Sequence, residues 1–169
     1  MITLPHPPTL VWPTTAVRTS YLVGELADMV HRRTSTAWLA AASQDFDTFV
    51  AERSGVSERW GVPSEIFWFV SGEYYLGSLV IRHRLIADQG GGHIGYHVVR
   101  PWQGQGHGTE MLRQALRIAS DLGISPALLT VARDDLASRR VVEKCGGVLD
   151  GVDASGELRF WVPTRAQVA

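Results

Sequence analysis

The chain has 169 residues, 45% hydrophobic and 20% charged, with a formal net charge of −1, so it is long enough to bury a core and too apolar to stay disordered. No basic block is present of the kind that phosphate neutralisation requires, which argues against a nucleic-acid partner. A single cysteine leaves no internal disulfide, there is no charged leader followed by an apolar run, and no apolar stretch nears the roughly 20 residues of a membrane span; the expectation is a cytoplasmic protein with no membrane partner.

Four of the eight prolines, Pro5, Pro7, Pro8 and Pro13, fall in residues 1–18. Proline fixes φ and removes a donor, so this segment reads as an extended arm with an edge strand around Leu10–Trp12, ahead of one domain over 19–169. From Tyr21 to Arg33 the residues Leu22, Leu26, Met29 and Val30 recur at helical spacing, with Glu25, Asp28 and Arg32 between them. A second helix is expected over about 44–53, with Phe46, Phe49 and Val50 as its stripe, Ser43 as cap and Gly55 as stop. Trp38 and Trp60 lie in this region and read as packing residues.

Ile66–Val70 and Tyr75–Arg84 read as a hairpin around the turn Ser71-Gly72-Glu73, where Glu73 is a solvated turn residue. After Gly90-Gly91-Gly92 the run His93–Val98 alternates, which puts Ile94, Tyr96 and Val98 on one face and His93, Gly95 and His97 on the other. A helix carrying Met111, Leu112, Ala115, Leu116, Ala119 and Leu122 ends at Gly123. The strand Ala127–Ala132, a short helix over Ala137–Lys144 and two closing strands, Val148-Leu149 and Leu158–Val162, complete a mixed α/β order with no internal repeat.

Between the strand ending at Val98 and the helix after it lies Arg100-Pro101-Trp102-Gln103-Gly104-Gln105-Gly106-His107-Gly108-Thr109. Glycines at alternate positions entering a helix suggest a phosphate cradle, because glycine lets a ligand approach the backbone and free N–H groups at a helix start attract anions. A P-loop needs Lys-Ser/Thr after its last glycine, and none follows. The dinucleotide spacing Gly-x-Gly-x-x-Gly fails at Thr109.

The pattern that fits is Gln/Arg-x-x-Gly-x-Gly, read here as Gln103–Gly108, and it resembles the acyl-CoA loop of the GNAT superfamily of N-acetyltransferases. The element order over residues 65–162 is similar to that family too, as is Asp135-Leu136-Ala137-Ser138 followed by Glu143-Lys144-Cys145-Gly146-Gly147. The stretches Ile81–Leu85 and Gly92–Tyr96 resemble a branch of uncharacterised predicted acetyltransferases. The resemblance implies a GNAT fold: a central mixed, mostly antiparallel twisted sheet of six to seven strands flanked by helices. The strand ending at Val98 is then splayed from Leu128–Val131 so that acyl-CoA enters between them.

The resemblance further implies that Gln103, Gly104, Gln105, Gly106, His107, Gly108 and Thr109 hold the CoA diphosphate. Val98 and Val99 would meet the pantetheine arm and thioester, and Asp135 and Ser138 would lie beside that arm. The implied activity is transfer of an acetyl group from acetyl-CoA to an amine, of a small molecule or of a protein N-terminus or lysine, by a monomer or homodimer. Three positions depart from the family pattern: Asp135 stands where asparagine is usual, Pro101 falls one place late, and Val142 stands where the frequent general-acid tyrosine would be.

An attacking amine must lose a proton, which a histidine can take. His93 is the first candidate, since it begins the strand that would carry the thioester; His97 projects from the same face and His83 ends the neighbouring strand. Tyr96 is a candidate general acid, and each of the four also has a structural reading. Cys145 reads as a small core residue and no group of side chains has metal-ligand spacing. The competing function is an acyl-CoA-binding sensor or interaction module with impaired catalysis, motivated by Val142 and Asp135. A nucleotide-binding protein without CoA preference is disfavoured by the failed spacings.

Overall fold

In the computed structural model, which describes residues 2–86 and 90–165, the helices and strands are wound into two sheets. The order is β1 (Thr9–Val11), α1 (Arg18–Arg32), α2 (Ala37–Gln44), α3 (Phe46–Ala51), β2 (Val56–Arg59), β3 (Val62–Ser71), β4 (Tyr74–Arg82) and β5 (Ile94–Val98). Then come α4 (His107–Asp121), β6 (Ala127–Val131), α5 (Leu136–Lys144), β7 (Val148–Val152) and β8 (Leu158–Val162). One sheet runs β1-β3-β4-β5 with β2 paired to β3, and the other runs β6-β8-β7; every pairing is antiparallel. That makes eight strands among the described residues. Among the described residues no helix is long and apolar enough to cross a membrane.

β3 carries the core because its run Ile66-Phe67-Trp68-Phe69 packs on both faces of the sheet, with Trp68 and Phe69 fully buried. Tyr21 of α1 stacks on Trp68 with ring centroids 4.4 Å apart, and Phe46 and Phe49 of α3 close the same face. α4 covers the other face with Met111, Leu112, Ala115 and Ala119, all inaccessible to solvent. The β3–β4 ladder shifts register between Phe69 and Val70, so that Phe69 faces Gly77 and Val70 faces Tyr75. The extra residue is Leu76. This bulge turns Tyr75 onto the α1 face, against Tyr21 and Trp68, where strict alternation from Ser78 would send it to the α4 face.

The sequence and the structure differ in the first half of the chain. The helix begins at Arg18, and its buried side is Tyr21, Gly24, Glu25, Asp28 and Met29, while Leu26 and Val30 of the expected stripe are 45% and 64% exposed. Gly24 faces the sheet because a Cβ there would stand 3.0 Å from Val99 Cγ2, so the helix rides close on the end of β5. The helix expected over 44–53 is the shorter α3, capped not by Ser43 but by Asp45, whose Oδ1 accepts the Thr48 N–H at 3.1 Å, and α2 ahead of it was not expected. β2, which the alternation did not reveal, pairs with β3 across the two-residue turn Trp60-Gly61, both at positive φ.

Gly92 is where the chain turns into β5. Its φ is +53°, and a Cβ there would collide with the Leu128 carbonyl. Gly92→Ala is therefore expected to lose about 1–3 kcal/mol from backbone strain alone, with more from the clash, read as a lowered midpoint in thermal and urea unfolding.

Candidate active site

β5 and β6 belong to different sheets and meet at a single point. The His93 N–H donates to the Leu128 carbonyl at 2.7 Å, and the Leu128 N–H donates to His93 Nδ1 at 2.9 Å. Beyond this clasp, among the described residues, the two strands share no ladder, which leaves a seam between them, with α4 packed on β5 and α5 on β6. This is the splay expected from the resemblance between the strand ending at Val98 and Leu128–Val131.

The loop closes one end of the seam. Gly104 and Gly106 take φ of +71° and +85° with no atom within 4 Å of where a Cβ would stand, leaving open space over their backbone. Gly106 is the cap residue of α4 and has no side chain to satisfy the N–H groups of the first turn. The loop's side chains turn back instead: Gln103 Nε2 donates to the Val98 carbonyl at 2.8 Å and Gln105 Nε2 to the Pro101 carbonyl at 3.2 Å. His107 packs edge-on against Trp102 and Phe69, and burial lowers its pKa. Thr109 is buried, and Gly108 has Val141, Val98 and Tyr96 just beyond the space a Cβ would fill. The backbone at Gly104 and Gly106 is thus uncovered, between the exposed side chains of Gln103 and Gln105.

Val99 is committed to the fold. Its N–H donates to the Leu76 carbonyl, its carbonyl accepts from Trp102 and its methyls meet Gly24. Asp135 caps α5 by accepting the Ser138 N–H at 3.0 Å.

On the α1 face, rows of side chains cross the sheet in register: Trp68, Ser78 and His97 in one, Ile66, Val80 and Gly95 in the next. His97 Nε2 lies 2.9 Å from Glu25 Oε1, and that oxygen also accepts the Tyr75 hydroxyl at 2.6 Å. Burial alone would raise the Glu25 pKa, but the hydrogen bond and charge of His97, with the Tyr75 hydroxyl, outweigh it and hold the carboxyl below its ordinary value. Glu25 is then a carboxylate facing His97 Nε2, and His97 Nδ1 lies 3.2 Å from Ser78 Oγ. His97 and Ser78 line a cavity of about 300 Å³ with Trp60, Ile66, Val80 and Gly95. A larger cavity of about 440 Å³ lies at the start of α1, beside Glu73, Tyr74 and Trp102, away from this chain of polar groups.

The histidines singled out from the sequence separate. His97 is in the cavity. His93 precedes β5, and its ring turns to β6, where Nδ1 accepts the Leu128 N–H; burial lowers its pKa. His83 Nε2 pairs with Glu65 at 3.0 Å, and Glu65 alternates with Ile66, so that pair belongs to the opposite face. Tyr96 also points to the α4 side, where its hydroxyl donates to the Ser138 carbonyl at 3.4 Å; burial raises its pKa and keeps it protonated. Cys145 Sγ reaches only the Thr109 carbonyl, and burial raises its pKa. Sequence reading passed over Glu25, Tyr75 and Ser78. The one signal for Glu25 is that it lies one turn from Tyr21 on the face carrying Gly24. Among the described residues no group of three or more His, Cys, Asp or Glu is placed to hold a metal ion.

The family described as "Acetyltransferase (GNAT) domain" matches residues 19–148. No curated protein matches. Among solved structures, RimL, a ribosomal L7/L12 alpha-N-protein acetyltransferase in complex with coenzyme A, is 15% identical with a TM-score of 0.63 and 95% of each chain covered. The microcin C7 self-immunity acetyltransferase MccE, in complex with acetyl-CoA and AMP, is 15% identical with a TM-score of 0.62 and 93% of this chain and 91% of that one covered. PaiA, an N-acetyltransferase from Thermoplasma acidophilum in complex with coenzyme A, is 12% identical with a TM-score of 0.58, over 94% and 99%. At these identities the likeness is one of fold. The chain belongs to the GNAT acetyltransferase family.

The clasp makes stability depend on pH. His93 must be neutral to accept the Leu128 N–H, so its folded pKa lies below the unfolded value near 6.5. Above that pH neither state carries the proton. As pH falls below it the unfolded chain protonates first, and stability drops until the lower folded pKa is passed. Denaturant midpoints measured from pH 8 to 5 should fall in the wild type along a limb that His93→Gln flattens.

Proposed function

We propose that the chain is an N-acetyltransferase that moves an acetyl group from acetyl-CoA to a primary amine by direct attack on the thioester. The observation that carries the reading is His97, held by a buried, ionised Glu25 at the floor of a cavity beside the open seam. The uncovered backbone at Gly104 and Gly106, the uncapped start of α4 and the unpaired edge of β5 fit an acyl-CoA, with the diphosphate on the loop and the pantetheine along Val98. Gln103, through its bond to the Val98 carbonyl, caps that edge. RimL and PaiA, which share the fold, act as N-acetyltransferases, and this supports nitrogen as the acceptor atom.

Acetyl-CoA supplies the acetyl group as an activated thioester. An alkylamine with a pKa near 10.4 is mostly protonated at pH 7, a gap of about 3.4 units or ~4.6 kcal/mol. His97 Nδ1 takes a proton from the ammonium, the freed amine nitrogen bonds to the carbonyl carbon, the carbon–sulfur bond breaks, and the second nitrogen proton goes to the departing sulfur, which leaves as the thiol. The Glu25 carboxylate stabilises the imidazolium through Nε2–H, and the Tyr75 hydroxyl holds Glu25 in line. Tyr96, kept protonated by burial, donates a hydrogen bond to the departing sulfur, a task the family often gives to a tyrosine at the position of Val142. A CoA-binding module with impaired catalysis is the second reading, favoured by the full burial of Val142.

Free-thiol release from acetyl-CoA across a panel of amines separates the two, since only the enzyme releases thiol in proportion to the amine supplied. His97→Ala is expected to lower kcat by about 10²–10⁴-fold, and Glu25→Gln by less, with acetyl-CoA affinity unchanged by calorimetry. Gly106→Asp should do the reverse: its charge and bulk at an open, positive-φ position abolish CoA binding and leave the fold intact by circular dichroism.

A further inference from the structure

Gly95 sits in the middle of β5 with no structural reason to be glycine. Its φ is not positive, and a Cβ there would meet only Val80 Cγ1 at 3.4 Å and an Arg82 guanidinium nitrogen at 3.9 Å, both ordinary contacts. Elsewhere in these strands the fold does demand glycine, since at Gly77 a Cβ would strike the His97 carbonyl. A glycine inside a strand weakens it, and where no bulge or close backbone explains it, the remaining reason is a ligand that lies against the chain. In the row Ile66, Val80, Gly95 no side chain stands at 95, where the row borders the cavity two residues from His97.

The opposite wall has its own anomaly. Trp60 occupies the first position of the β2–β3 turn at φ +55°, where asparagine, aspartate or glycine is favoured and a bulky residue is strained. Its indole is 51% exposed, yet it is held in place over the Arg82 guanidinium, 4.8 Å from the ring centroid. A strained, exposed aromatic ring and a bare strip of strand thus line one slot with Ile66 and Val80, with the Arg82 guanidinium bordering both.

We infer that this slot selects the acceptor, and that the acceptor is a primary amine carrying a flat aromatic group that lies over Gly95 against Trp60 with its nitrogen at His97. The inference rests on the acetyl-transfer reading above and adds the substrate class to it. Stacking on the indole and burial against Ile66 and Val80 give such a group its affinity, and the absent side chain at 95 gives it room.

Phenethylamine and n-butylamine are the probes. The wild type is expected to show kcat/KM at least tenfold higher for phenethylamine, mainly through KM. Trp60→Asn, which suits the turn, should bring the ratio of the two acceptors close to one. Gly95→Val, which suits a strand and fills the slot, should lower kcat/KM for phenethylamine at least tenfold while acetyl-CoA affinity stays the same. Equal use of both amines by the wild type, or variants that lower both acceptors by the same factor, would overturn the slot and leave acetyl transfer standing. Calorimetry with phenethylamine in the presence of CoA separates the two ideas. Binding that Gly95→Val abolishes supports the slot even if no amine releases thiol, and no binding to the wild type overturns it.

Discussion

The site depends on two strands that touch once. β5 and β6 are joined at His93 and Leu128, and past that point neither ladder continues into the other. An unpaired strand edge inside a folded protein is costly unless something else meets its N–H and C=O groups. The clasp sets where the opening begins, Gly92 lets the backbone come close enough to form it, and Gln103 covers the Val98 carbonyl at the far end. The parting of β5 from β6 is therefore built into the main-chain arrangement.

α1 supplies the second constraint. Two of the residues it buries against the sheet are carboxylates, an arrangement that pays only when each is fully partnered. Asp28 Oδ1 accepts the Arg100 N–H at 2.8 Å and so fixes the start of the glycine-rich loop, while Glu25 takes Tyr75 and His97. Removing one partner from such a buried group typically costs about 3–5 kcal/mol, which ties the glycine-rich loop and His97 to the same helix energetically. The β4 bulge completes the arrangement, because without the extra residue Leu76 the Tyr75 hydroxyl would point away from α1.

The cleft also explains why the four candidate side chains part company. His97 and Tyr96 are neighbours in sequence and lie on opposite faces of β5, one toward the cavity and one toward α5. His83 and His93 each hold one distant partner away from the cavity, Glu65 on Nε2 and the Leu128 amide on Nδ1, while His97 holds Glu25 and Ser78 beside it. Where a histidine's ring lies is set by neighbours distant in the chain.

Sequence alone determined the parts whose signal is local. Glycine spacing from Gln103 to Gly108, the amphipathic run of α4, the strand over Ala127–Val131 and the Asp135 start of α5 are written within a few residues of one another, because turn geometry and periodicity are short-range physics. The buried face of α1 was misread, since its stripe includes charged residues, and a carboxylate looks solvated until its partners are known. Glu25 meets His97 across 72 positions and Tyr75 across 50. Only the tertiary structure could decide which histidine sits in the cavity, which carboxylate holds it and which glycine is bare of structural duty, because each depends on contacts that the folded sheet brings together.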